Sequence, residues 1–287
     1  MKEGGRLAQG PGTVPLAGAA RSLWDVYRAE FRTSVAVQMQ YRAAQLIWLL
    51  GTVLGPVVYL AVWSAVAAAS GGTVGGYDRH TFAAYYLTLM LVNQVTFTWI
   101  MYEFQGRIRE GSFTPLILRP VHPIHGDVAD NLAHKALTLA VLLPTAAALA
   151  VAFRPAFRGL PPLDALLLLP SLVLAFVLRF AVEWTLALAA FWTVRTSALN
   201  GLYEGVLLFL SGQVAPLPLL PQPLRALADV LPFRFMVAFP VSLAVGRPLP
   251  AAAVLGLSAQ ALWAAAAVAA LLVVWRAAVR RYAAVGG

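Results

Sequence analysis

The sequence predicts an all-α integral membrane protein. It should have six transmembrane helices, an N-terminal amphipathic interface helix, and broken outer helices between spans five and six. Three observations predict this. Hydrophobic residues make up 60% of the 287-residue chain and charged residues 11%, against roughly 25% charged in a soluble domain. Six apolar stretches recur, each near the ~20 residues a helix needs to cross the hydrocarbon layer. The connection from 218 to 250 is apolar yet studded with prolines, among them Pro221, Pro232 and Pro240, which no continuous helix accommodates.

Residues 1–21 carry Gly, Pro and small side chains and lack the apolar core of a signal peptide, so they read as a disordered cytoplasmic tail. The rest, 22–287, forms a single transmembrane domain. Ser22 is a candidate N-cap for a helix over 22–42, where Trp24, Tyr27, Phe31 and Val35 recur at helical spacing with Asp25 and Arg32 on the other side. A basic amphipathic helix with an aromatic face lies in the membrane interface; the alternative is a helix packed on the protein itself. The spans follow at about 46–69, 82–102, 132–153, 165–194, 199–217 and 251–275. The fourth exceeds the needed length, so it should tilt, or kink near Pro170. Between the fifth and sixth, apolar runs such as 235–245 are too short to cross. They fit short helices that dip into the outer face under the shelter of protein. No internal repeat is visible.

A net charge of +9 raises nucleic acid as a partner, but the basic residues are scattered between apolar spans rather than massed on one surface. They read as topology signals and contacts to membrane lipid headgroups. With the N-terminus inside, the outer side holds Arg79, Arg154, Arg158, Arg225, Arg234 and Arg247, and Arg179 sits within a span. The other fourteen of the 21 basic residues fall on the cytoplasmic side, which places both termini in the cytoplasm. Only Lys2 and Lys135 are lysine, and the Arg and Ala bias points to a GC-rich bacterial genome. The chain has no cysteine, which excludes disulfides and thiolate metal sites.

There is no phosphate-binding loop of the G-x-x-x-x-G-K-[ST] type, no G-x-S-x-G elbow and no H-E-x-x-H motif. The densest polar cluster is His122, His125, Asp127, Asp130, Asn131 and His134. Such residues at helical spacing can share a face and hold a metal. The other reading is a solvated cytoplasmic loop and helix start, with Pro123 as the first helical residue and Asp127 and Asp130 near the positive helix end. Arg179 and Glu183 are the charges deep in a span. Four residues apart, they can pair, either lining a substrate route or fixing helix register. Asn93, Gln94, Thr96 and Thr98 in the second span suit hydrogen bonds between helices.

The run Arg107-Ile-Arg-Glu-Gly-Ser-Phe-Thr-Pro-Leu-Ile-Leu-Arg-Pro-Val-His-Pro123, followed by Asp130-Asn-Leu-Ala-His-Lys135, resembles the ABC-2 type permeases of bacterial ABC exporters. It is closest to an uncharacterised branch with an I-x-x-G-x-[LF]-x-x-x-L-L-R-P-x-x-P run and then E-N-L-x-x-K. Ile108, Gly111, Phe113, Leu118, Arg119, Pro120 and Pro123 match, and Asp130 replaces the usual glutamate. The resemblance implies a non-catalytic subunit in the bacterial plasma membrane. A separate cytoplasmic ATPase, which holds the ATP and Mg, would bind the loop that includes Gly111, Arg119, Pro120, Pro123, His125, Asp130, Asn131 and Lys135. No cofactor is expected on this chain. A second permease, identical or related, would complete the translocation route, and the direction would be export. Two other classes stay open on the residues: an ion-coupled transporter using Arg179 and Glu183, and a membrane enzyme acting on lipid-linked substrates through His125, Asp127 and Asp130.

Overall fold

The computed structural model describes residues 16–152, 161–193, 196–246 and 250–281. Residues 1–15 of the expected tail lie outside them, as do Arg154, Arg158, Arg195 and Arg247, which enter the charge asymmetry. Helix α1 spans Leu16–Gln40. It begins earlier than expected, so 16–21 are helical and Ser22 lies inside the helix rather than capping it. The physical reason is the run from Leu16 to Ala20, rich in the strongest helix formers. Tyr41 alone separates α1 from α2 (Arg42–Ala69).

A hairpin of two-residue strands, β1 (Thr73–Val74) and β2 (Tyr77–Asp78), follows α2, so the chain is not purely helical. Its turn is Gly75-Gly76, with φ +53 and +77, the double left-handed geometry of a tight hairpin turn. Asp78 then caps α3 (Arg79–Thr96), accepting from the Thr81 amide at 2.8 Å. Here the expected second span parts from a single helix. It breaks at 97–99 and resumes as α4 (Ile100–Arg109). A short α5 (Thr114–Ile117) leads to α6 (Ile124–Ala152). Pro123, expected as the first helical residue, lies just ahead of α6, and its carbonyl accepts from the Asp127 amide at 3.3 Å.

Helix α7 (Pro162–Ala187) runs through Pro170 without interruption and tightens into a 3-10 turn at Leu188–Phe191. Helix α8 is Ser197–Leu210. At 14 residues it is about 21 Å long, shorter than the expected 199–217. It stops because Gly212, at φ +85, takes the left-handed position that ends helices. Three short helices follow, α9 (Gln222–Val230), α10 (Phe233–Met236) and α11 (Ala238–Ala244), and then α12 (Pro250–Arg281). The helices over 43–69, 162–191 and 251–281 are long and apolar enough to cross a membrane.

Helix α12 lies along α7, α2 along α3, and α1 along α6, while α11 sits against α7 and α3. Side chains such as Trp48, Leu166 and Leu262 are more than two-thirds exposed, an arrangement suited to lipid. The backbone of the segment after α8 is satisfied by its neighbours. Trp63 Nε1 and the Tyr86 hydroxyl both donate to the Val214 carbonyl at 2.8 Å, and the Tyr85 hydroxyl donates to the Gly212 carbonyl at 2.8 Å. Gln260 of α12 donates to the Phe235 carbonyl (2.8 Å) and the Ser171 carbonyl (3.0 Å), tying the short helices to α7. Away from water, irregular backbone needs this sheltering.

Gly256 of α12 makes the closest approach, since a Cβ there would lie 2.2 Å from the buried Phe239 ring. Gly256→Ala should therefore cost ~1–3 kcal/mol through overpacking, read as a lowered thermal midpoint in detergent. Combining it with Phe239→Leu should recover part of that loss. Equal midpoints for Gly256→Ala and the native protein would refute the contact.

Candidate functional site

The loop between α4 and α6 turns at Gly111, whose φ of +73 is open to glycine and costly for other residues. Beyond α5 it presents Leu118, 79% exposed, beside Arg119 and Pro120. A single exposed leucine is ordinary on a protein surface and does not by itself mark a partner site.

Behind the tip the loop is fastened to the helices. Arg107, at the end of α4, pairs with Asp127 of α6 at 2.5 Å and with Glu103 at 2.6 Å. Asp127 also accepts from Trp184 Nε1 of α7 at 2.9 Å. Burial holds the Asp127 carboxyl above the ordinary carboxylate range, against the pull of Arg107 and Trp184. Around this knot Phe104, Phe113, Trp184 and Trp275 meet ring to ring, and His122 lies 4.4 Å from Trp275. Burial, with His125 nearby, lowers the His122 pKa, so the ring stacks in its neutral form at neutral pH.

Helix α1 runs beside the loop and is joined to it by polar groups. Glu30 pairs with Arg119 at 3.2 Å, and Tyr27 bonds to His125 Nδ1 at 3.0 Å. Gln38 donates to Asp130 at 3.3 Å and meets His134 at the same distance. Trp24 and Met39 remain outside this contact, 69% and 51% exposed. One side of α1 thus packs on the protein, while apolar residues of its other side face outward. The three histidines His122, His125 and His134 are spent on separate partners. Among the described residues, no three His, Asp or Glu side chains gather around a metal-sized space.

Arg179 and Glu183 form the expected pair, Nε to Oε1 at 2.8 Å, with both side chains buried. They face the break between α3 and α4. Arg179 Nη1 donates to Asn93 Oδ1 (3.2 Å) and Thr96 Oγ1 (3.3 Å), and Thr98 Oγ1 donates to Glu183 Oε2 at 2.7 Å. The Tyr203 hydroxyl of α8 donates to Glu183 at 3.1 Å. Lys135, buried, donates to the Phe97 carbonyl at 2.6 Å and to Asn131. Of the loop residues named from the sequence, Asn131 and Lys135 therefore belong to this inner cluster, while Arg119, Pro120 and Pro123 stay in the loop between α4 and α6. Sequence reasoning missed Phe97, Tyr203 and Trp184, whose partners are all distant along the chain. A cavity of about 1020 Å³ adjoins the cluster, walled by α1, α2, α3, α4, α6 and α8, with Phe97, Trp99 and Tyr102 as rings and Glu103, Asp130 and Glu204 as carboxylates.

The family described as ABC-2 family transporter protein matches residues 53–286. The chain belongs to this family. That match covers the loop, the inner cluster and every helix from α3 onward, and it begins after α1. No curated protein matches the chain. The protein is thus a membrane permease of the ABC transporters, and membership implies association with an ABC ATPase.

In the permease, Arg179→Met should cost about 3–5 kcal/mol, because it strands a buried carboxylate. Arg179→Met with Glu183→Gln should cost clearly less than the single change. Thermal unfolding of the detergent-solubilised variants measures both. A double variant less stable than Arg179→Met would show that the pair is not what Arg179 serves.

Proposed function

We propose that the chain is the permease subunit of an ATP-driven exporter in a bacterial plasma membrane, with six spans and both termini cytoplasmic. A separate ATPase carries ATP and Mg and docks on the loop around Gly111, Arg119, Pro120 and Pro123; this chain binds no cofactor. A second permease, identical or related, completes the route, and the 1020 Å³ cavity is this subunit's share of it. One observation carries the reading. The loop exposes Leu118 and Arg119 at its tip and is anchored behind the tip by the Arg107–Asp127 pair and the Trp184–Trp275 stack. A push on the tip is then delivered to α4, α6, α7 and α12 together.

The six-span count is supported by treating α3 with α4 as one interrupted crossing, and α6 and α8 as crossings beside the three long apolar helices. A membrane enzyme built on His125, Asp127 and Asp130 is disfavoured, because Asp127 is held by Arg107 and Trp184 while His125 and Asp130 are engaged with α1.

The permease should co-purify with its partner ABC ATPase and stimulate that ATPase in lipid. Arg119→Ala with Pro120→Ala should reduce stimulation or complex formation about tenfold, roughly 1.4 kcal/mol of lost interaction. Unchanged assembly and unchanged stimulation would place the docking site elsewhere.

A further inference from the structure

The break at 97–99 contains Phe97, Thr98 and Trp99, with neither proline nor glycine. Helices bend sharply at proline, at glycine or serine pairs, at π-bulges, or where a side chain enters the hydrogen-bond ladder. Only the last cause operates here. Phe97 turns to φ −56, ψ 140, and its carbonyl leaves the ladder to accept from Lys135 of α6. Thr98 is drawn to Glu183 of α7. Trp99 turns its ring edge to His134, 4.6 Å away, and donates to Glu103. The interruption is thus imposed by side chains of other helices, and such bonds can be exchanged.

Two neighbours suit motion at this point. The 1020 Å³ cavity reaches Phe97, Trp99, Tyr102 and Glu103, leaving space beside α4. On another side, α7 tightens into its 3-10 turn where it meets α4, with Phe191 5.9 Å from Phe104. A 3-10 turn is a common way for a long helix to end, so at this contact α4 meets the end of α7 rather than its rigid middle. On the outer side of the break α3 is held firmly, through Asn93 to Gln213 and through Tyr85 and Tyr86 to the backbone after α8.

We propose that residues 97–99 are a hinge in the second span, pinned by Lys135, about which α4 and the attached loop turn while α3 stays with the outer layer. The hinge deepens the permease reading by naming the joint that a docked ATPase would move. Helix α4 is about 15 Å long, so a turn of about 20° displaces its cytoplasmic end by ~5 Å.

The native chain has no cysteine, so two spin-label pairs can be placed without interference. Glu110→Cys with Arg280→Cys reports the end of α4 against α12. Arg79→Cys with Ala251→Cys reports the outer end of α3 against α12. In the full permease in nanodiscs, Lys135→Met should broaden or shift the first distance distribution by several ångströms and leave the second unchanged. Lys135→Arg, which still donates, should restore the first. If Lys135→Met does not assemble, Thr98→Val should give the same selective change. No change in the first pair in either variant, or equal broadening of both pairs, would overturn the hinge. Adding the ATPase with a non-hydrolysable ATP analogue should move the first pair in the unmutated background. An ATPase that binds without moving it also overturns the hinge. An ATPase that fails to bind removes the coupling reading, and the isolated permease then decides the hinge alone.

Discussion

A guanidinium and a carboxylate deep in a span must find each other or water, because lipid chains offer neither hydrogen bonds nor screening. Arg179 and Glu183 meet this constraint within one face of α7, yet their remaining hydrogen-bonding positions still need partners. Those come from Asn93, Thr96 and Thr98 beside the break and Tyr203 on α8. Lys135 joins from α6 by taking the freed Phe97 carbonyl. The ion pair thereby joins α7 to α3, to the break and to α8, and Lys135 adds α6 through the Phe97 carbonyl.

From this junction two sets of contacts run in opposite directions. On the loop side, α7 carries Trp184 to Asp127, and Asp127 holds Arg107 at the base of the loop. On the opposite side, Asn93 uses its oxygen for Arg179 and its amide for Gln213, next to the carbonyls held by Tyr85, Tyr86 and Trp63. Under the proposed function, in which a separate ATPase supplies the energy, such continuity is a functional requirement. The aromatic stack of Phe104, Phe113, Trp184 and Trp275 supplies stiffness, since large rings pack at defined angles and resist gradual deformation.

Much of this was legible in the sequence because it is local. The Arg179–Glu183 pair follows from four-residue spacing on a helix, and the proline-interrupted short helices after α8 from Pro221, Pro232 and Pro240. Composition settled the solvent, and the run from Ile108 to Pro123 the family resemblance. The departures have physical causes of two kinds. The early start of α1 and the early stop of α8 were carried by local signals, the alanine-rich run after Leu16 and the Gly212 stop, which the hydropathy pattern overrode. The break at 97–99 was hidden because Phe, Thr and Trp are merely indifferent helix formers, and the groups that open the ladder lie on α6 and α7. The same applies to the loop, where Arg107 and Asp127 are twenty residues apart and Trp184 is farther still.

The ion pair organises the contacts on both sides of the break at 97–99. Hydrogen exchange of the full permease in nanodiscs, native against Glu183→Ala, tests it most directly. Faster exchange is expected at 97–100, and with it at the loop over 111–118 and at 212–215 beyond α8. Faster exchange confined to α7 around position 183, with the loop and the outer segment unchanged, would contradict it.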